Sequence, residues 1–334
     1  MSNKTRYFVV TAGAILAIGL TTGLVASFMG LPVAFSRAAG PDELQYVPAD
    51  AAVVAYANVK DVMNSTFRER FRKFEPDTSD RDDFQTKTGV NIEEDIHTVV
   101  AAMIPGADGQ TGWQPDKGML LLARGRFEQP RIEALALEHG GHVEDYQGKR
   151  LLTHIKDTGE PDMAVGFLDA DLIALGSYTA IKKAIDAGGS GNNIVSNTEL
   201  MRQINDLEGS NAWAVGRFDA IANAGHLPSE IQAQMPAIQW FSAAGHVNGG
   251  VSGIFKAETR DEASAQNLRD MIRGFLALAK MQAGSKPEMK GMVESLQLSG
   301  EGKNVAVSFT VPSELFDMLE AMGEQHRRQL EPKP

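Results

Sequence analysis

Glu138-His139-Gly140-Gly141-His142, with Glu144 and Asp145 close behind, is the run best supplied with metal-ligating side chains. Imidazoles and carboxylates bind zinc, which takes roughly three or four converging ligands. Here Gly140-Gly141 breaks any helix, so the two histidines need not share a face, and no distant ligand completes a set. The run reads as a helix ending in glycine and turning into a strand. Asp77, Asp80, Asp82 and Asp83 gather the oxygen donors that calcium favours. Their segment lacks the central glycine and closing glutamate of a calcium loop, so a solvated acidic loop is expected.

The other chemistry-bearing patterns are equally bare. Gly188-Gly189-Ser190-Gly191-Asn192-Asn193 is not a phosphate cradle, because no Lys-Ser or Lys-Thr follows, and no dinucleotide fingerprint occurs. There is no Gly-x-Ser-x-Gly elbow and no supported Ser-x-x-Lys pair. His97, His154, His226, His246 and His326 stand isolated in the chain. The 334 residues contain no cysteine, which removes thiol chemistry, disulfides and lipid attachment through sulfur. No catalytic residue, metal or cofactor is therefore expected, and the chain reads as a non-enzyme.

The strongest signal is topological. Tyr7 to Ser36 holds no charge, and Lys4 and Arg6 precede it. Its apolar heart, Phe8 to Leu31, would span about 36 Å as a helix, enough to cross a hydrocarbon core of about 30 Å. The basic residues fix the N-terminus on the cytoplasmic side and the rest of the chain outside it. A cleaved signal peptide is the alternative, with Ser36-Arg37-Ala38 offering small residues before Ala39. Such peptides carry a much shorter apolar stretch, so a retained anchor in an inner membrane is expected, with the C-terminal part periplasmic. Gly19, Gly23 and Ser27 fall on one face of this helix, where small residues admit a second helix. A membrane-protein partner or a second copy of the chain is the partner this implies.

Three of the 32 basic residues and none of the 43 acidic ones precede residue 41, so the external part is more acidic than the whole chain's net −11. An acidic surface argues against nucleic acid or anionic lipid headgroups as partners. Aromatics are few and aliphatic residues plentiful, so stability must come from buried aliphatic surface.

The elements that would build that core follow from periodicity. Ala39 to Pro48 leads out of the membrane, and AAVVAYANV from Ala51 to Val59 reads as a buried strand. A helix with Val59, Met63, Phe67, Phe71 and Phe74 on one stripe follows. Strands are expected over Thr98–Ile104 and Met119–Ala123, then a helix with Pro130 in its first turn. Val143–Tyr146 with Arg150–Ile155, and Met163–Leu168 with Leu172–Leu175, form two hairpins before a helix bearing Ile181, Ala184 and Ile185. Gly188 to Asn193 reads as a loop and as the domain boundary.

In the second half Ser196 and Glu199 read as a capping box for a helix with Leu200, Ile204 and Leu207. Asn211–Phe218 is a strand, and Ile221 to about Ile238 reads as helical. Val247–Phe255 alternates as a strand does. Thr259 and Glu262 read as a second capping box, opening a helix with Leu268, Met271, Ile272, Phe275, Leu276 and Ala279 on one side. Leu296–Leu298 and Val305–Val311 make a hairpin, and Pro312-Ser313 start a last helix with Leu315, Phe316, Leu319 and Met322. The fold class is α+β: an anchor over 1–38, a linker over 39–50, and two similar units of mainly antiparallel sheet over 51–188 and 194–330.

Tyr46-Val47-Pro48-Ala49-Asp50 before the first strand, and the run Gly166-Phe167-Leu168-Asp169-Ala170-Asp171-Leu172-Ile173-Ala174-Leu175-Gly176-Ser177, carry a resemblance to uncharacterised bacterial exported, membrane-anchored proteins with tandem α+β repeats. It implies that layout for most of the external part and no site residue. The function expected is that of a membrane-tethered, non-enzymatic periplasmic accessory or scaffolding subunit. The alternative is a carrier or sensor of an apolar small ligand, lined by Val247–Phe255 and the helix near Met271.

Overall fold

The computed structural model describes residues 41–311, apart from 66–78, 107–117, 156–160, 208, 221–236, 248–250, 284–290 and 292. Twelve strands form one sheet: β1 Val53–Asn58, β2 Ile96–Met103, β3 Met119–Gly125, β4 His142–Tyr146, β5 Lys149–Ile155, β6 Pro161–Asp169, β7 Leu172–Ser177, β8 Ala212–Arg217, β9 Ile238–His246, β10 Val251–Thr259, β11 Gln297–Ser299 and β12 Asn304–Val311. Their spatial order is β11-β12-β10-β9-β8-β1-β2-β3-β7-β6-β5-β4. Every ladder is antiparallel, and β1 with β8 joins the two stretches of chain into one sheet. The class is α+β, with a large antiparallel sheet and helices packed on it.

The helices are α1 Val59–Met63, α2 Ser79–Thr88, α3 Ile92–Asp95, α4 Gln129–Glu138, α5 Tyr178–Ser190, α6 Thr198–Asn205 and α7 Glu262–Ala283. Side chains alternate across a strand, so each strand feeds two faces. Val54, Val100, Ala102, Leu120, Leu122, Leu172 and Ala174 cluster with Ile181, Ala184 and Ile185 of α5 and with Leu200 and Ile204 of α6. Their neighbours Val99, Ala101, Leu121, Ile173 and Leu175 pack with Phe84 of α2 and with Val90, and Ile132 and Ala136 of α4 lie against them. Both faces of this half of the sheet are thus covered, and its inner strands read as continuous apolar runs for that reason.

Several expectations need correction. Asp77–Asp83 reads as a loop, yet α2 begins at Ser79; Phe84 is buried, the Thr88 hydroxyl donates to the Phe84 carbonyl, and Lys87 pairs with Asp83. Too few apolar residues mark this helix for periodicity to reveal it. α5 runs on through Gly188 and Gly189 and stops at Gly191, whose φ of 73° is the left-handed conformation of a helix end. Gly188 is there because a Cβ would lie 2.6 Å from the Tyr46 ring.

Neither expected capping box forms. Asn197, not Ser196, accepts from the Leu200 N–H, and Asp261, not Thr259, accepts from the Ser264 N–H. Strand β9 begins where the region read as helical ends and takes up residues given no assignment in the sequence; residues 221–236 of that region lie outside the described residues. The long apolar face expected on α7 is split: Leu268 is buried and Ile272 packs beside it, while Met271 and Phe275 face outward. One sheet covers only part of an apolar arc that wide.

Candidate functional site

The described chain enters the fold through a 3-10 turn, Asp42–Tyr46, and side chains of three other elements tie this entry down. Leu44 and Val47 are buried in the cluster under α5. Glu43, next to Leu44 in the chain, is only 3% exposed. Its Oε1 accepts from Thr98 Oγ1 of β2 at 2.9 Å and from Arg124 Nε of β3 at 2.6 Å. Arg124 donates again through Nη1 to Asp171 Oδ1, in the β6–β7 turn, at 2.7 Å. A carboxylate this deep is tolerated only when paired and hydrogen-bonded, and Glu43 is both.

Burial opposes the charge on Arg124, but the hydrogen bonds to Asp171 and Glu43 outweigh it and raise its pKa. The guanidinium fork is therefore divided between two carboxylates. This arrangement can hold a segment of chain; it has no spare charge to offer a substrate.

The segment just beyond is sewn down as well. Pro48 bridges Asn193, the Ile194 N–H donates to the Val47 carbonyl at 2.8 Å, and Asn197 Nδ2 donates to the Ala49 carbonyl at 3.1 Å. Lys183 of α5 donates to Asp50 Oδ2 at 3.2 Å and to the Pro105 carbonyl at 3.1 Å. An open groove of about 520 Å³ lies alongside, lined by Pro48, Asp50, Lys183, Asp186, Ser190 and Asn192. Its Asp186 is already engaged by Tyr146 Oη and Gln147 Nε2.

Tyr56 on β1 belongs to the same neighbourhood. Burial first, then the charges of Glu43 and Asp61, push its pKa up to about 12 from the usual 10. Folding therefore favours the neutral phenol. Its contribution to stability is complete below pH 10 and is lost as pH rises toward 12. Tyr56→Phe is expected to flatten that alkaline loss while leaving stability at pH 7 little changed, as read by denaturant melts across the window.

The residues singled out in the sequence are placed as follows. Glu144 accepts from Tyr178 Oη, and Asp145 accepts from the Gly148 N–H in the β4–β5 turn, so both acids near His142 serve local structure. Among the described residues no group of three His, Cys, Asp or Glu side chains is close enough to share a metal ion. Asp77 lies outside the described residues, as do Gly19, Gly23 and Ser27. Met271 and Phe255 lie at the surface, while Val247 and Val251 are packed among Ala212, Phe309 and Val311. No helix among the described residues is long and apolar enough to cross a membrane.

One pair escaped sequence reading altogether. Ser210 Oγ lies 3.2 Å from His246 Nε2, and burial lowers the His246 pKa. Ser252, paired with His246 across the ladder, has a buried hydroxyl with no partner. Thirty-six residues separate Ser210 from His246 and no motif links them. With His246 at 7% exposure the pair is interior packing rather than a site open to a substrate.

No protein-family model matches the chain. No curated protein matches it either. Among solved structures it is similar to crystal form I of TP0453, with a TM-score of 0.43 and 10% identity over 85% of this chain and 98% of that one. A likeness at that level carries nothing about activity.

Proposed function

We propose that the chain is a membrane-tethered, non-enzymatic accessory or scaffolding subunit whose acidic external part sits beside the bilayer on the periplasmic side. The observation that carries this reading is the wiring of residues 43–50 into the sheet. The uncharged run Tyr7–Ser36 ends only a few residues before Glu43. A tether joined to the fold by a buried ion pair and buried Leu44 and Val47 transmits position to the whole sheet. Partners are met through the anchor, at Gly19, Gly23 and Ser27, as a membrane protein or a second copy of the chain.

The two stretches 51–188 and 194–330 are proposed to be similar units. Reading outward from the central β1–β8 ladder, one side runs β1-β2-β3-β7-β6-β5-β4 and the other β8-β9-β10-β12-β11. The second order is the first with the β4–β5 hairpin left out. This correspondence supports an ancestral duplication.

The test is extraction. Full-length protein is expected to stay with membranes through an alkaline carbonate wash, and a variant lacking residues 1–38 to leave with the soluble fraction. Native material whose N-terminal sequence begins near Ala39 would end the tethered reading. Proteins that co-purify after mild detergent extraction then identify the assembly; a chain that always emerges alone argues against a scaffold.

A further inference from the structure

The β1–β8 ladder, where the two stretches of chain meet, is thinly packed on one face. In register across it stand Val53 with Gly216, Ala55 with Ala214 and Ala57 with Ala212. All but Val53 are Ala or Gly, so little side chain meets side chain there, and cross-strand pairs are what stabilise a sheet. The other face carries Val54 with Val215 and Tyr56 with Trp213, whose rings stack at 5.6 Å. The seam therefore depends on what covers that second face.

Residues 42–50 cover it. Leu44, Val47 and Ile194 share one buried cluster with Val54, Trp213 and Val215. The turn Asp42–Tyr46 touches both α5 and the 3-10 turn Ile194–Ser196. One end of this segment is bonded to the first stretch of chain, through Glu43 to Thr98 of β2 and Arg124 of β3. Its other end is bonded to the connector that leads into the second stretch. There the Ile194 N–H donates to the Val47 carbonyl and Asn197 Nδ2 to the Ala49 carbonyl. Asn197 also caps α6, whose Leu200 and Ile204 lie in the same cluster.

We infer that residues 42–50 are a strap that locks the β1–β8 seam. Bound, they hold the two stretches together as one sheet; released, they leave the seam as the hinge at which the sheet yields. The two ends of the strap differ in strength. The Glu43–Arg124 bond is charge-assisted, and such bonds are roughly twice as strong as the neutral ones made at Val47 and Ala49. Any pull on the chain before Asp42 reaches Glu43 first, so the strong end carries the load and the seam opens only after it gives. The strap belongs to the fold whether or not the chain is anchored; an anchor would be one source of that pull.

The test is amide exchange, read by mass spectrometry on the full-length chain. Leu44→Ala and Arg124→Ala are each expected to speed exchange about tenfold over Val53–Asn58, Ala212–Arg217 and residues 194–197, and to leave the β5–β6 and β10–β12 ladders at the parent rate. Speeding confined to residues 43–50, or shared equally by every ladder, would overturn the strap. The chain has no native cysteine, so a disulfide can close the strap without ambiguity. Pro48 and Asn193 form an antiparallel bridge beside the Ile194–Val47 bond, a close pairing that suits Pro48→Cys with Asn193→Cys. Oxidised, this pair is expected to return the seam of Arg124→Ala to the parent rate; reduced, it is expected to leave the seam fast. Should neither single variant fold, the pair in the parent chain still decides. Slower exchange at the seam alone in the oxidised form, against its own reduced form, supports the strap. A pair that does not oxidise, no slowing, or equal slowing of all ladders overturns it.

Discussion

Arg124→Ala is expected to cost about 3 kcal/mol of unfolding free energy, because it strands Glu43 as a buried carboxylate. Among the described residues Glu43 would keep only the Thr98 hydroxyl, at 2.9 Å, while its side chain stays 4% exposed. The reverse change has a different outcome. Glu43→Gln leaves Arg124 paired with Asp171 and 25% exposed, close enough to water to be partly hydrated. That variant is expected to lose only about 1 kcal/mol. Asp171→Asn acts on a carboxylate that is 54% exposed and is expected to lose less than about 1 kcal/mol.

The order of effects is the sharper test: Arg124→Ala well above Glu43→Gln, and both above Asp171→Asn, in urea melts at constant ionic strength. Arg124→Lys keeps the charge but cannot bond two acids as a fork, and should fall between the first two. Equal losses for Glu43→Gln and Arg124→Ala would mean that the pair itself, rather than desolvation of Glu43, dominates. The clamp also bears on the tether. If residues 43–50 are released in Arg124→Ala, proteolysis should begin near the Asp42–Tyr46 turn before the sheet opens.

The elements that sequence reading found share one property: their local pattern had one explanation. Met119–Ala123 and Leu172–Leu175 are short apolar runs between turn residues, and both are interior strands buried on two faces. The β4–β5 hairpin was legible because Gln147-Gly148 can take left-handed φ values of 50° and 73°. β9 was not legible, since Trp240 and Ser242 share one face while Phe241 and Ala243 take the other. Neither face is uniformly apolar or polar along its length, so neither alternation nor a continuous run appears.

The capping errors have a similar origin. Ser196 and Glu199 fit the letters of a capping box, but Asn197 takes the cap and Glu199 accepts instead from Trp240 Nε1, 41 residues away. The clamp was invisible for the same reason. Glu43 and Arg124 are 81 positions apart, and Arg124 and Asp171 are 47 apart. Only tertiary packing brings them together. A lone arginine closing the apolar run Met119–Ala123 was the one local hint that a buried acid awaited it.

Gly176→Ala is expected to be among the most damaging single-methyl additions in the chain, costing about 4 kcal/mol. Two independent terms make it up. Gly176 has φ of 156°, a conformation that side-chain-bearing residues rarely adopt, worth about 1–3 kcal/mol of strain. Its new Cβ would also sit 2.1 Å from the Met119 carbonyl oxygen, where the contact is backbone and cannot swing aside. Relief requires β3 and β7 to part at the Leu120–Gly176 pair, disturbing two buried neighbours for about 1–3 kcal/mol more.

The same substitution at Gly189 should have the opposite sign. That position is exposed in the last turn of α5, an added Cβ would meet nothing within 4 Å, and alanine is the better helix former by about 0.5–1 kcal/mol. Melting both variants beside the parent protein separates conformation from mere size. A Gly176→Ala loss below about 1 kcal/mol would mean that the β3–β7 ladder can slide, and that the ladder carrying Arg124 toward Asp171 is softer than its burial implies.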